Sequence, residues 1–303
     1  MKVQTIDELS QPSRDAFGDT IFAIDVHAEE VLLRHCENWA KLEPLTLMAE
    51  GLPEAGVLLG RGEPGIRLIA DPIDGTRGLM FDKRSAWCLL AVADERGPET
   101  SLRDVGLAVM MELPTTRMNI VDTLWAERKG SACGRREDLV RGTARDFVPR
   151  PSTATDLRHG FASVANFFPG GKELTARLDE ALMHEALGGW NPDKCEVYTD
   201  QYISSGGQLA ELALGRDRFV LDVRPLVHKS LGVRSSLCSR PYDVCTALVA
   251  QSAGCVVTAP DGAPLDPPLD VTTNVAFVGY ANQELAARLQ PALTRIARAL
   301  LSS

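Results

Sequence analysis

Six consecutive residues, Asp71-Pro72-Ile73-Asp74-Gly75-Thr76, constrain this chain more than any other stretch. Residues 66–70 before them form an apolar run that reads as a buried strand. Residues 77–81 after them read as the first turn of a helix or a tight loop. Two carboxylates therefore leave the end of a strand three residues apart. Pro72 sets its own φ and biases Asp71 towards extended geometry. Gly75 permits a sharp turn or the close approach of a ligand. Thr76 can cap a helix with its hydroxyl and offers a backbone N–H to an anion. Hard oxygen donors beside exposed N–H groups suit a divalent cation together with a phosphate. The plainer reading is a strand-turn-helix junction, with Asp74 as an N-cap and Asp71 as a surface acid.

The rest of the chain sets the bounds. Its 303 residues allow one large domain or two of ordinary size, and the expected division is 1–150 and 151–303. Hydrophobic content of 45% and charged content of 24% belong to a globular chain, and no apolar run is long enough to span a bilayer. The first eight residues lack the apolar core of a signal peptide. Seven scattered cysteines contain no C-x-x-C, which favours reduced thiols and a cytoplasmic location over a disulfide framework or a zinc site. A net charge of −9 without a basic run argues against nucleic-acid polymers as partners, and no membrane partner is expected. A small anionic ligand remains compatible, provided metal ions or clustered N–H groups reverse the sign locally.

Read in order, residues 5–17 suggest a short helix and residues 26–41 an amphipathic one, with Asp25 at its N-terminus as an N-cap. His27 and His35 read as surface residues of that helix. Residues 45–49 form a strand ending at Glu50-Gly51, and residues 85–93 and 105–111 are further strands. Residues 118–121 and 123–127 suggest a hairpin. Many strands with few helices between them predict a largely antiparallel or mixed sheet. A polar stretch over 135–156 reads as a boundary or long connection. Beyond it, strands are expected at 159–164, 218–223, 255–258 and 274–279. Helices are expected at 172–184, 208–215, 242–254 and 282–301.

Glu50, Asp71, Asp74 and Asp243 stand at ends of elements, and Asp25 at a helix start, where a scaffold fixes a side chain and a loop exposes it. Converging carboxylates repel, and divalent cations offset that repulsion. This arrangement resembles the inositol monophosphatase family within the metal-dependent, lithium-sensitive phosphatases. That family's first motif, D-P-[IL]-D-G-[ST], is matched at every position by residues 71–76. Ala49-Glu50-Gly51 keeps the first Glu of its upstream G-E-E and loses the second. Pro241-Tyr242-Asp243-Val244-Cys245-Thr246-Ala247 keeps the Asp of W-D-x-A-[AG] and replaces Trp with Tyr. Asp25 falls where the family has an Asp after T-x-x-D, with Phe22 in place of the Thr. The resemblance covers roughly residues 15–290.

What the resemblance implies is specific. The fold is an α+β or α/β layered α-β-α-β-α sandwich of the type shared by inositol monophosphatase and fructose-1,6-bisphosphatase. Glu50, Asp71 and the Ile73 carbonyl hold one Mg²⁺. Asp71, Asp74 and Asp243 hold a second, with Asp71 bridging, and a third ion lies near Glu50. Mn²⁺ substitutes and Li⁺ inhibits. The N–H groups of Gly75 and Thr76 bind the phosphate, with Asp74, Asp243, Ser205 and Gly206 also contacting substrate. Asp25 with Thr76 orients or deprotonates the attacking water, with Glu50 the rival for that role. The implied reaction is hydrolysis of a small phosphorylated metabolite, and a homodimer is implied as well.

The substrate stays open among inositol phosphates, sugar phosphates and 3′-phosphoadenosine 5′-phosphate. Thr76-Arg77-Gly78-Leu79 resembles the T-[KR]-G-F of bisphosphate nucleotidases. Ser205-Gly206-Gly207-Gln208 resembles their S-x-x-K segment, with Gln for Lys. Arg77 is either part of that likeness or a solvated side chain. Residues 221–240 carry Arg224, His228, Lys229, Arg234 and Arg240, which make either a second-phosphate clamp or, the favoured reading, a charged surface loop. The alternative function is a catalytically impaired relative that binds a phosphorylated metabolite or a protein partner. No G-x-G-x-x-G follows a strand, so a nucleotide-dependent oxidoreductase is poorly supported.

Overall fold

A computed structural model of the chain describes residues 10–16, 19–189, 191, 193–234 and 237–301. Pro12–Ala16 (β1) and Asp19–Phe22 (β2) pair antiparallel, and Ala23–Trp39 follows as helix α1. This corrects the helix expected over 5–17. Residues 12–16 are a strand, because Pro12 would break a helix at mid-length while β2 supplies ladder partners. Residues 5–9, 17 and 18 of that expectation lie outside the described residues.

The next elements build one sheet. They are Leu45–Ala49 (β3), Val57–Leu59 (β4), Ile66–Asp74 (β5), the short helix Thr76–Met80 (α2), Ala86–Asp94 (β6), Val105–Leu113 (β7), Ile120–Glu127 (β8), Cys133–Asp138 (β9) and Thr143–Phe147 (β10). Their spatial order is β10-β9-β8-β7-β6-β5-β3-β4, antiparallel throughout except for the parallel pair β3–β5. The hairpin expected within 118–127 is a single strand instead. No turn residue interrupts it, and Asp122 pairs in the ladder opposite Arg136. The boundary expected over 135–156 carries β9 and β10. Its polarity is that of a solvated edge, where Arg135 meets Asp146 across the strands at 3.3 Å.

Period-2 burial divides the two faces of this sheet. Leu47, Leu68 and Ala70 pack with Cys36 of α1 on one face. Ile69, Trp87, Leu89 and Ala91 face a larger core on the other.

The second half adds Gly160–Val164 (β11), Lys172–Leu187 (α3), Val197–Tyr198 (β12), Ser205–Ala213 (α4), Asp217–Asp222 (β13), Arg224–Ser230 (α5), Pro241–Val244 (α6), Ala247–Ala253 (α7), Val256–Thr258 (β14), Phe277–Tyr280 (β15) and Gln283–Leu301 (α8). These strands form a mixed sheet of order β12-β11-β13-β15-β14. Helices α4 and α7 pack between the two sheets, and α3 and α8 cover the outer face of the second. The layers therefore run α1, first sheet, α4 and α7, second sheet, α3 and α8, which is an α-β-α-β-α sandwich. A single hydrophobic cluster holds Leu89 and Met110 of the first half with Leu209, Phe219 and Val278 of the second. The helix expected over 242–254 is two pieces, broken at Cys245 and Thr246. Among the described residues, no helix is long and apolar enough to cross a membrane.

Candidate active site

The site begins with a counting problem in β5. Residues three apart on a regular strand point to opposite faces, so Asp71 and Asp74 should diverge. Here Asp71 pairs with Leu89 and Asp74 with Trp87, so three steps on β5 match two on β6. The extra residue is a bulge at Pro72-Ile73, where Pro72 has no N–H to give the ladder. Both aspartates consequently face the inter-sheet layer, on the same side as Leu89 and Trp87. Ile73 N–H donates to Asp71 Oδ1 at 2.9 Å and locks the bulge locally.

Asp243 arrives from the opposite side. Pro241 opens α6, and the Arg240 N–H donates to Asp243 Oδ2 at 2.5 Å in the first turn. Carboxylate oxygens of Asp71, Asp74 and Asp243 all come within 4.8 Å of one another. Glu50, leaving β3, lines the same cleft and adds its charge to Asp71. Burial drives the electrostatics. It holds the Asp71 carboxyl well above the ordinary range, reinforced by repulsion from Glu50 and Asp74. Burial and Asp243 push Asp74 up to about 8. Burial raises Asp243 to about 6, against the pull of its Arg240 N–H and Asp71 hydrogen bonds. Three converging carboxylates, Asp71 and Asp74 buried and Asp243 partly so, with all-oxygen donors are what a hard divalent cation relieves, so the donor set fits Mg²⁺ or Mn²⁺.

The second half also grips Asp74. Ser204 Oγ–H donates to its Oδ2 at 2.8 Å, and the Gly206 N–H donates to the same oxygen at 2.6 Å. Ser204 is the N-cap of α4, so one hydroxyl serves helix and site together, accepting from Gly207 N–H at 2.8 Å. Gly75 closes the approach. Its φ of 102° suits glycine, and a Cβ there would sit 3.2 Å from that of Ser204. Behind Ser204, Tyr202 is fixed on three sides. Trp87 Nε1–H donates to its hydroxyl at 2.9 Å, the hydroxyl donates to the Ser85 carbonyl at 2.8 Å, and Arg84 covers its ring at 3.6 Å.

Asp25 joins from α1. Its Oδ1 accepts the Thr76 hydroxyl at 2.8 Å and its Oδ2 accepts Phe22 N–H at 2.9 Å. Burial raises its pKa, while those two hydrogen bonds oppose the rise. The helix starts at Ala23, so Asp25 lies in the first turn rather than at the N-cap expected for it. The Thr76 hydroxyl also lies 2.8 Å from the Ile73 carbonyl.

Glu50, Asp71, Ile73, Asp74, Gly75 and Thr76 thus line one cleft with Ser205 and Asp243. Gly206 sits behind Asp74. The surface loop expected over 221–240 is corrected: Arg224–Ser230 is helix α5, and His228 on it is buried. Arg224 and Arg240 are buried and line the cleft. Asp222 holds Arg224 through contacts of 2.5–3.0 Å, and Phe167 covers its guanidinium at 4.5 Å. Arg77, read as part of the nucleotidase likeness or as a solvated side chain, lines the cleft, with its guanidinium 5.6 Å from the Phe22 ring centroid and 5.1 Å from that of Phe168. Phe167, Phe168 and Ser239 also line the cleft and were missed. Two adjacent aromatics at a strand end before Pro169-Gly170-Gly171 were the available signal.

No protein-family model matches the chain, and no curated protein matches it in sequence. Solved structures do match. The extragenic suppressor protein suhB of Bartonella henselae superposes with a TM-score of 0.64 at 16% identity, over 95% of this chain and 91% of that one. An IMPase of Thermotoga maritima gives 0.62 at 17% identity, over 97% and 92%. Fructose-1,6-bisphosphatase of Leishmania major gives 0.67 at 14% identity, over 95% and 86%. The chain has the layered sandwich fold of the inositol monophosphatase and fructose-1,6-bisphosphatase structures.

Proposed function

We propose that the chain is a metal-dependent phosphoric monoester hydrolase acting on a small phosphorylated metabolite. The observation that carries this reading is the β5 bulge, which turns Asp71 and Asp74 onto one face where Asp243 meets them. Asp71, Asp74 and Asp243 would hold one divalent cation, and Glu50, Asp71 and the Ile73 carbonyl a second, with Mg²⁺ the expected ion and Mn²⁺ a substitute. Bound there, such ions supply Lewis-acid stabilisation of charge on the phosphoryl, attacking and leaving oxygens.

The chain's own residues do the positioning on which phosphoryl transfer depends. Asp25 holds the Thr76 hydroxyl at 2.8 Å and directs its proton away from the cleft, so the lone pairs of Thr76 receive the proton side of an attacking water. Glu50 lines the same cleft and is the second candidate for that role. The N–H groups of Gly75 and Thr76 carry partial positive charge to the phosphate. Ser204 and Gly206 fix Asp74 against rotation. The protein is proposed to work in the cytoplasm and as a homodimer.

The test is phosphate release with Mg²⁺ from inositol 1-phosphate, fructose 1,6-bisphosphate, 3′-phosphoadenosine 5′-phosphate and glycerol 2-phosphate. Wild type and Asp74→Asn run in parallel, with and without Li⁺. Metal-dependent release that Asp74→Asn abolishes and Li⁺ lowers is expected. Metal binding without release from any ester would favour a binding protein, and failure to bind metal would end the phosphatase reading.

A further inference from the structure

Away from the acids the cleft changes character. Phe167, Phe168, Ile203, Leu237 and Cys238 give it an apolar stretch, set among Arg77, Arg224 and Arg240. The two phenylalanines meet edge to face, with centroids 4.9 Å apart. Arg224 lies 4.5 Å from the Phe167 centroid and Arg77 5.1 Å from that of Phe168. An arginine against each ring holds it in place.

Ser205, Ser239 and Arg224 on this wall are engaged with one another and with Asp222. Ser205 and Ser239 share a 2.6 Å hydrogen bond, and Ser239 donates to Asp222 at 2.8 Å. Arg224 Nη2 donates to Ser239 Oγ at 3.2 Å, and its Nη1 to the Leu237 carbonyl at 2.5 Å. Ser239 thus donates once and accepts twice, which fills its capacity. Asp222 takes Arg224 and Ser239 together. A polyol seated here would bury several hydroxyls against partners already engaged, each at a cost of roughly tenfold or more in affinity. An aromatic face meets no such cost and gains stacking area.

Resting on the phosphatase reading, we infer that the ester turned over carries a flat aromatic group, seated on Phe167 and Phe168 while its phosphate faces Asp71, Asp74 and Asp243. The substrate class is a phosphate ester of an aromatic-bearing alcohol, such as a nucleoside, rather than a polyol phosphate.

The test compares kcat/KM for benzyl phosphate and glycerol 1-phosphate. Both are esters of primary alcohols, so their intrinsic reactivities are close. Inositol 1-phosphate runs beside them, all with Mg²⁺. Benzyl phosphate should lead glycerol 1-phosphate by about tenfold or more. Phe167→Ser and Phe168→Ser should each shrink that ratio by roughly three- to tenfold, and Phe167→Leu by less. A lead for either polyol ester, or a ratio unmoved by both serine variants, overturns the inference while leaving the phosphatase reading in place. Absence of release from every ester removes both.

Discussion

Gly206→Ala joins the packing of the core to the chemistry of the acids. Gly206 lies in the first turn of α4, and its φ is outside the left-handed region, so backbone strain is not at issue. Space is. An added Cβ would sit 2.5 and 2.6 Å from the two Leu89 methyls and 2.9 Å from Asp74 Oδ2. Leu89 is fully buried and cannot swing away. Overpacking of this kind costs about 1–3 kcal/mol, or a fall in Tm of roughly 2–10 °C for a chain of this size.

The displaced backbone also carries the 2.6 Å N–H bond to Asp74. Loss of a hydrogen bond to a charged group is worth about 1.5–3 kcal/mol, so turnover should drop roughly 10–100-fold. Thermal melting and phosphate release measure the two effects on the same protein. Leu89→Ala supplies the control. Alone it should cost about 2–5 kcal/mol, but combined with Gly206→Ala the total should fall short of the sum by at least ~1 kcal/mol, because the methyls that clash are gone. Strict additivity, or Gly206→Ala activity within about twofold of wild type, would refute the steric argument.

Three further outcomes are expected. Thr76→Ala should lower kcat by about 10²–10⁴-fold, while Thr76→Ser, which keeps the hydroxyl on Asp25, should retain most of the rate. A serine variant as inactive as the alanine one would remove Thr76 from the proton path. Asp217 is buried on β13 near Glu211 and Asp200, and its pKa rises from 3.8 to about 7, chiefly through burial. The folded chain therefore binds this proton more tightly than the unfolded one, and stability falls as pH rises from about 4 to 7, by at most ~4 kcal/mol. Asp217→Asn should raise Tm at pH 8 and change it little at pH 4; equal shifts at both would contradict the assignment. Trp87→Phe should lower Tm and turnover together, because it removes the donor to Tyr202 behind Ser204, and an unchanged rate would uncouple that anchor from the site.

What the sequence made legible was local. The six residues at 71–76 announced their chemistry because proline, glycine and two acids act on their own backbone within a few positions. The strands of both sheets were visible wherever apolar residues alternated or ran together, as at 66–70 and 105–111. β9, next to the edge strand β10, was hidden because it keeps its charges, and Arg135 and Arg136 read as a polar connection. Arg224 and Arg240 were hidden for a different reason. Whether an arginine is solvated or buried depends on groups such as Asp222 and Phe167, which the fold brings to Arg224 and which no spacing reveals. The grip of Ser204 on Asp74, 130 positions away in the chain, was equally out of reach.

The bulge in β5 makes the site a matter of parity. Every side chain on a strand serves one of two faces by odd or even count, and the single extra residue between Asp71 and Asp74 converts an odd interval into an even one. Substitution at Pro72 or Ile73 leaves that count alone. Deletion of either would leave Asp74 two regular steps from Asp71 and still opposite Trp87, whereas straightening the bulge at the present chain length would leave Leu68 and Ala70 against α1 and turn Asp74 over to the helix side. At its present length the strand can be a regular ladder or can bring both aspartates to one face, and the bulge is what decides for the site.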